Sequence, residues 1–162
     1  MSIIACEKVP IFDKINNNIF LGDIVAVSNI NLIKNIDIII NLTHEKYTKY
    51  NHIKYFDFSI EDNREVKINF FKETNEIISE AIKNNKRILI HCYNGVSRSV
   101  TILLAYFIST GISLKDSLSL IKNNRVSKQY TRPNIGFMKQ LIVYEREILF
   151  DNSLTLNEFI AL

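Results

Sequence analysis

Cys92 and Arg98 lie six positions apart in the run His91-Cys92-Tyr93-Asn94-Gly95-Val96-Ser97-Arg98-Ser99. A short apolar run, Arg87-Ile88-Leu89-Ile90, precedes it, and a longer one from Val100 to Ile108 follows. The first reads as a buried strand and the second as a buried helix. Cysteine, glycine and arginine therefore share a tight turn that ends at a helix N-terminus. Amide groups there lack intrahelical partners, and with the helix dipole they attract anions. Gly95 admits backbone angles closed to other residues. The N–H groups of Tyr93, Asn94, Gly95, Val96, Ser97 and Arg98 can then converge as an anion nest. Arg98 adds a planar fork that bonds two phosphate oxygens at once. The same positive field favours a thiolate, which makes Cys92 a candidate nucleophile. The Ser99 hydroxyl can donate to that sulfur and help it leave a thiophosphate intermediate. Taken singly, these residues read as a small buried hydrophobe, a turn and a solvated cation. Their joint spacing between strand and helix carries the chemical reading.

A thiolate that attacks a phosphate ester must expel an alkoxide or phenolate, so a general acid is needed. Asp57, Glu61 and Asp62 are the candidates. Residues 55–60 alternate, placing Phe56, Phe58 and Ile60 on one face, and Asp62 continues that face. It opens the polar stretch Asp62-Asn63-Arg64-Glu65. A solvated loop carboxylate is the commoner fate of each of the three. Developing negative charge would be met by Arg98 and the amide nest, without a metal or cofactor.

These groups need a scaffold. Residues 36–42 are nearly continuously apolar, as a strand covered on both faces requires. Between 67 and 83 the apolar positions Phe70, Phe71, Ile77, Ile78, Ala81 and Ile82 recur at helical spacing, and Asn84-Asn85 closes that helix. Ser28 is expected to cap a short helix reaching about residue 34. Gly111 suits a C-cap, and Ser113 with Asp116 resembles a capping box. Pro133 suits the first turn of a helix running to about residue 149. Thr155 with Glu158 is expected to cap a last short helix. Alternating strands and helices imply an α/β fold, a central mixed, mainly parallel sheet flanked by helices.

The chain has 162 residues, 47% hydrophobic and 23% charged, the proportions of a globular protein with an ample core. We expect one domain over 1–162, with an N-terminal extension (1–18) and a C-terminal tail (150–162). A net charge of +3 permits acidic or phosphorylated partners without demanding nucleic acid. Two cysteines, Cys6 and Cys92, make no disulfide framework, and Cys6 reads as an inert thiol. A reactive thiolate needs a reducing compartment. No signal peptide, membrane span or lipidation box stands out, so a cytoplasmic location is expected. His44 and His52 lack ligand-spaced partners, which argues against a metal site. Frequent Ile, Asn and Lys suit an AT-rich genome. The apolar stretch from Ile3 to Ile15 can pack on its own domain or form a homodimer contact.

His91-Cys92, five residues, then Arg98-Ser99 resembles the signature of the cysteine-based protein tyrosine phosphatases, and Gly95-Val96-Ser97-Arg98-Ser99 resembles their dual-specificity branch. Ile19-Phe20-Leu21-Gly22, Ile38 to Thr43, Ala105-Tyr106, and Asn134-Ile135-Gly136-Phe137 followed by Gln140-Leu141 match in order along most of the chain. The resemblance implies that family's fold and a phosphatase active on phosphotyrosine and phosphoserine or phosphothreonine in proteins. It favours Asp62 as the acid, 30 residues before Cys92 and with Ile68 six positions on. His91 reads as a loop-ordering residue or a simple buried histidine, and the resemblance implies a bracing role for Asn134, which by type alone reads equally as a turn residue. The length between Arg125 and Asn134 is similar to that of poxviral members, which would admit a virion location. Lys46, Lys49, Lys128 and Arg132 are candidate contacts for acidic phosphopeptides. RNA 5′-phosphatases and phosphoinositide phosphatases share the loop but tend to carry basic residues inside it. Here Tyr93, Asn94, Val96 and Ser97 are neutral. A phosphoprotein-binding module without turnover is the third alternative, although such modules usually lose the cysteine or arginine.

Overall fold

The computed structural model describes residues 8–126 and 131–162. Cys6, Lys128 and the N-terminal end of the proposed dimer segment lie outside them. Five strands form one sheet in the order β1-β2-β5-β3-β4: β1 (Phe12–Lys14), β2 (Ile19–Gly22), β3 (Ile38–Asn41), β4 (Lys54–Asp57) and β5 (Ile88–His91). Only β1 runs antiparallel to its neighbour. The sheet is thus mixed and mainly parallel, as expected.

Alternation along the strands divides the core in two. Ile19, Leu21, Ile40, Leu42, Ile88 and Ile90 face one layer, and Phe20, Ile39 and Leu89 face the other. The first layer holds helices α3 (Phe71–Lys83), α4 (Arg98–Ser109), α5 (Leu114–Asn123) and α6 (Ile135–Leu149). The second holds the short helices α1 (Ile24–Val27) and α2 (Ile30–Ile33) and the ring cluster Tyr47, Tyr50 and Tyr55. Helix α4 is central: every residue from Ser99 to Ile108 is buried. It therefore reads as apolar on all sides, because it faces protein on all sides.

The flanks belong to this body. β1 extends the sheet, and α7 (Leu156–Ile160) buries Phe159 in the first layer. An ion pair buried at both ends, Arg125 Nε to Asp13 Oδ2 at 2.8 Å, ties β1 to the end of α5.

Local expectations fare unevenly. Ser113 caps α5, and Thr155 with Glu158 forms a complete capping box on α7. Gly111, at φ 99°, follows the Thr110 cap of α4. Ser28 does not start a helix. It closes α1 by donating to the Ile24 carbonyl, while Asp23 and Asn29 cap α1 and α2. Pro133 precedes α6 instead of opening it, because Asn134 accepts from Phe137 N and is itself the cap. The alternating stretch 55–60 is strand only as far as Asp57, yet Phe58 and Ile60 still donate to the Asn41 and Leu42 carbonyls. Helix α3 starts at Phe71 rather than at 67, because Val66 and Ile68 bond the side chain of Gln140.

Candidate active site

β5 ends at His91 and α4 begins at Arg98, so residues 92–97 form the turn between them. The turn is held from outside through its carbonyls. Ile24 N donates to Tyr93 O, Arg132 N to Val96 O, and Thr101 N to Ser97 O. The N–H groups of Tyr93 to Ser97 have no acceptor among the described residues. Carbonyls bonded outward with amides left over is the arrangement an anion nest requires. Gly95 adopts φ +67°, and a Cβ there would also stand 3.0 Å from the Gly22 carbonyl oxygen. Both facts demand glycine. Ser97 does not cap its own helix; its Oγ accepts from Asn134 N at 2.9 Å.

Cys92 is buried at the base of the turn, with its sulfur 3.2 Å from Ser99 Oγ. Arg98 directs Nη1 at the carbonyls of Ile60 (2.8 Å) and Leu42 (3.4 Å). Its Nε is buried and has no hydrogen-bond partner among the described residues. The guanidinium is thus anchored at one end and has a donor in reserve.

His91 is fully buried between Cys92 and Tyr47. Burial, reinforced by the Arg98 charge and opposed by the bond to Cys92 O, pushes its imidazole down to about 4. It is neutral at physiological pH. Tyr47 OH lies 2.8 Å from Nε2, and Cys92 O lies 3.3 Å from Nδ1. Burial, with the charges of Tyr55 and Asp57, raises the Tyr47 phenol and keeps its proton on. The assignment that satisfies both contacts has Tyr47 donating to Nε2 and Nδ1–H donating to the Cys92 carbonyl. Residue types and spacing gave no sign of Tyr47, which comes from a loop 44 positions away.

The three candidate acids separate. Asp57 accepts from Asn41 Nδ2 at 2.9 Å and pairs with Lys49 at 3.0 Å. Burial acts to raise its carboxyl, but those bonds prevail and lower it. Lys49 is thereby committed to Asp57 and the Tyr55 ring rather than free for a ligand. Glu61 is exposed beside His44, 3.5 Å away. Asp62 lines a cleft of about 1100 Å³ together with Asn94, Val96, Ser97, Arg132 and Asn134. Asn134 joins the two sides: Nδ2 donates to Asp62 Oδ1 at 2.8 Å, while its backbone holds Ser97. Arg132 stacks on the Phe159 ring at 5.0 Å, and Lys46 is exposed. Among the described residues, no group of His, Cys, Asp and Glu could hold a metal, and no helix is long and apolar enough to cross a membrane.

Comparison with known proteins places this geometry. Residues 19–147 match the family model for the dual specificity phosphatase catalytic domain. The chain is 33% identical over 138 residues to Dual specificity protein phosphatase Mpk3 of Drosophila melanogaster, covering 80% of this chain and 33% of that one. It is 32% identical over 145 residues to "Putative tyrosine phosphatase 123R" of Invertebrate iridescent virus 6, covering 86% of this chain and 96% of that one. The crystal structure of DUSP15 superposes with a TM-score of 0.74 at 27% identity, covering 85% of this chain and 94% of the other. The chain spans about a third of the length of the first cellular relatives. The viral likeness therefore has a sequence relative of nearly equal length. With the family model spanning most of its length, this chain belongs to the dual specificity phosphatase catalytic-domain family.

Proposed function

We propose that the chain hydrolyses phosphotyrosine and phosphoserine or phosphothreonine esters of proteins through a cysteinyl-phosphate intermediate. The observation that carries this reading is Cys92 at the base of a turn whose amides have no acceptor among the described residues, 3.2 Å from Ser99 Oγ, with Arg98 six positions on keeping a buried Nε that has no partner among those residues. The phosphoryl oxygens occupy the amide nest and the free edge of Arg98. The Cys92 thiolate forms the S–P bond as the ester P–O bond breaks, and Asp62 passes its proton to the departing oxygen. Water then attacks phosphorus, giving a proton to the Asp62 carboxylate. The S–P bond breaks, orthophosphate leaves, and Ser99 donates to the returning thiolate. Asn134 holds Asp62 beside the cradle. His91 bonds the Cys92 carbonyl from behind and fixes the start of the turn.

The test is a hydrolysis panel on the full chain: phosphotyrosine, phosphoserine and phosphothreonine peptides beside triphosphorylated RNA and inositol phospholipids. Turnover of the peptides is expected, and Cys92→Ser should abolish it while phosphopeptide binding persists. Retained turnover in Cys92→Ser, or hydrolysis confined to RNA or lipid, overturns the reading. The neutral side chains of Tyr93, Asn94, Val96 and Ser97 favour the peptide arm over those more highly charged substrates.

A further inference from the structure

Asp62 stands on a segment, residues 58–70, that contains neither helix nor strand. Segments of that length inside a compact domain are uncommon and tend to be functional or mobile. This one is fastened along its length. Ser59 Oγ donates to Thr43 O at 2.6 Å, and Arg98 Nη1 to Ile60 O at 2.8 Å. Beyond Asp62 the fastening comes from one face of α6. Gln140 Nε2 donates to Val66 O, and Gln140 Oε1 accepts from Ile68 N, both at 2.8 Å. One turn earlier on the same face is Gly136. A Cβ on Gly136 would lie 2.5 Å from the Arg64 carbonyl carbon and 2.6 Å from Arg64 Cα, and would overlap the Arg64 carbonyl oxygen. Helix and segment therefore meet backbone to backbone.

Gly136 has no left-handed φ to explain it, unlike Gly95 and Gly111. Glycine within a helix is destabilising relative to alanine. Space for the Arg64 carbonyl is what the position requires.

We propose that Gly136 and Gln140 are positioning residues for the general acid: a side-chain-free seat and an amide clamp that hold the Asp62 segment in its working place before substrate arrives. The acid is then a fixed wall of the site and not a lid that closes on it. Asn134 sets the Asp62 carboxylate, whereas Gly136 and Gln140 set the backbone that carries it. This inference rests on Asp62 being the acid, as proposed above.

The test uses the full chain as wild type, Gly136→Ala, Gln140→Met and Asp62→Asn. Substrates are aryl phosphates graded from acidic phenols to tyrosine phosphate. Asp62→Asn sets the benchmark, with a loss of kcat that grows as the leaving group becomes more basic. A displacement of about 1 Å can cost up to ~100-fold, so Gly136→Ala should show the same graded loss, roughly 10- to 100-fold for tyrosine phosphate and little for the most acidic phenol. Gln140→Met, nearly isosteric and without the amide, should show the same grading more weakly. Affinity for vanadate, which reads the phosphate turn, should stay within about two-fold in both, because the segment is released at residues 64–68, beyond Asp62 from the Ile60 carbonyl that anchors Arg98. A benchmark that is graded while Gly136→Ala and Gln140→Met stay parallel to wild type overturns the positioning role and spares the acid. An ungraded Asp62→Asn overturns the acid assignment and this inference with it. Loss of vanadate affinity in both variants overturns the inference by moving the effect to the phosphate turn.

Discussion

His91 makes the folded protein sensitive to mild acid. In the native state its imidazole is pushed down to about 4 by burial, against about 6.5 in an unfolded chain. Between those values the unfolded chain carries a proton that the folded one refuses. Stability rises with pH wherever the unfolded state binds more protons. His91 therefore contributes fully above pH 6.5, and its contribution is lost as pH falls from 6.5 toward 4. At 1.36 kcal/mol per unit, the loss over that window is about 3 kcal/mol. Domains are typically stable by only 5–15 kcal/mol, so the change is large. Urea denaturation at intervals between about pH 7 and pH 4.5 reads it directly. His91→Gln cannot titrate and should show a much flatter curve in that window, even if it starts less stable. Asp57, held below the ordinary carboxylate range, loses its contribution only at lower pH. Parallel pH curves for wild type and His91→Gln, or a wild type that gains stability on acidification, would refute the reasoning.

Two further outcomes follow from contacts already described. In the proposed mechanism Ser99 donates to a sulfur that leaves as an anion, and such a bond is worth about 1.5–3 kcal/mol. Ser99→Ala should slow breakdown of the phosphocysteine roughly 10- to 100-fold, seen in stopped flow as a burst of phenol release before a slow steady state; no burst at any substrate concentration would remove the role. Asp13→Asn removes the charge from one end of the buried Arg125–Asp13 pair while keeping an acceptor oxygen. It should cost roughly 1–3 kcal/mol, or about 3–10 °C in Tm, and an unchanged thermal melt would contradict that.

The strand–turn–helix around Cys92 was legible because its signals are local. Continuous hydrophobicity in residues 88–90 and 100–108 reflects elements enclosed on all sides, and the structure buries both. Caps made by a side chain on its own helix, such as Ser113 and Thr155, were legible for the same reason. The misreadings occur where a nearby residue competes. Ser28 has the right type for a cap, but Asn29 stands one position closer to the helix that is capped. Pro133 is compatible with a first turn, yet Asn134 reaches Phe137 N and so becomes the boundary. Propensity ranks the types at a position; it does not say which of two neighbours will bond.

The site divides along the same line. Cys92, Arg98, Ser99 and the amides between them lie within eight positions, so their spacing could be read as geometry. The proposed acid could not be read that way. Asp57, Glu61 and Asp62 are equivalent as residue types on one short stretch. What separates them is where Asn41, Lys49, His44 and Asn134 fall in space. Three of those partners come from before the stretch, and one, 72 positions after Asp62, heads α6. Tyr47 beneath His91 and Gly136 beneath Arg64 are likewise long-range choices without a local pattern. Gly136 did leave a trace, since a glycine in a helix's first turn with no turn to make asks for something close by. The trace says that a backbone approaches there. Only the fold says that the approaching backbone is the one carrying the Asp62 carboxylate, and that is why substituting this glycine tests the proposed proton transfer separately from the phosphate cradle.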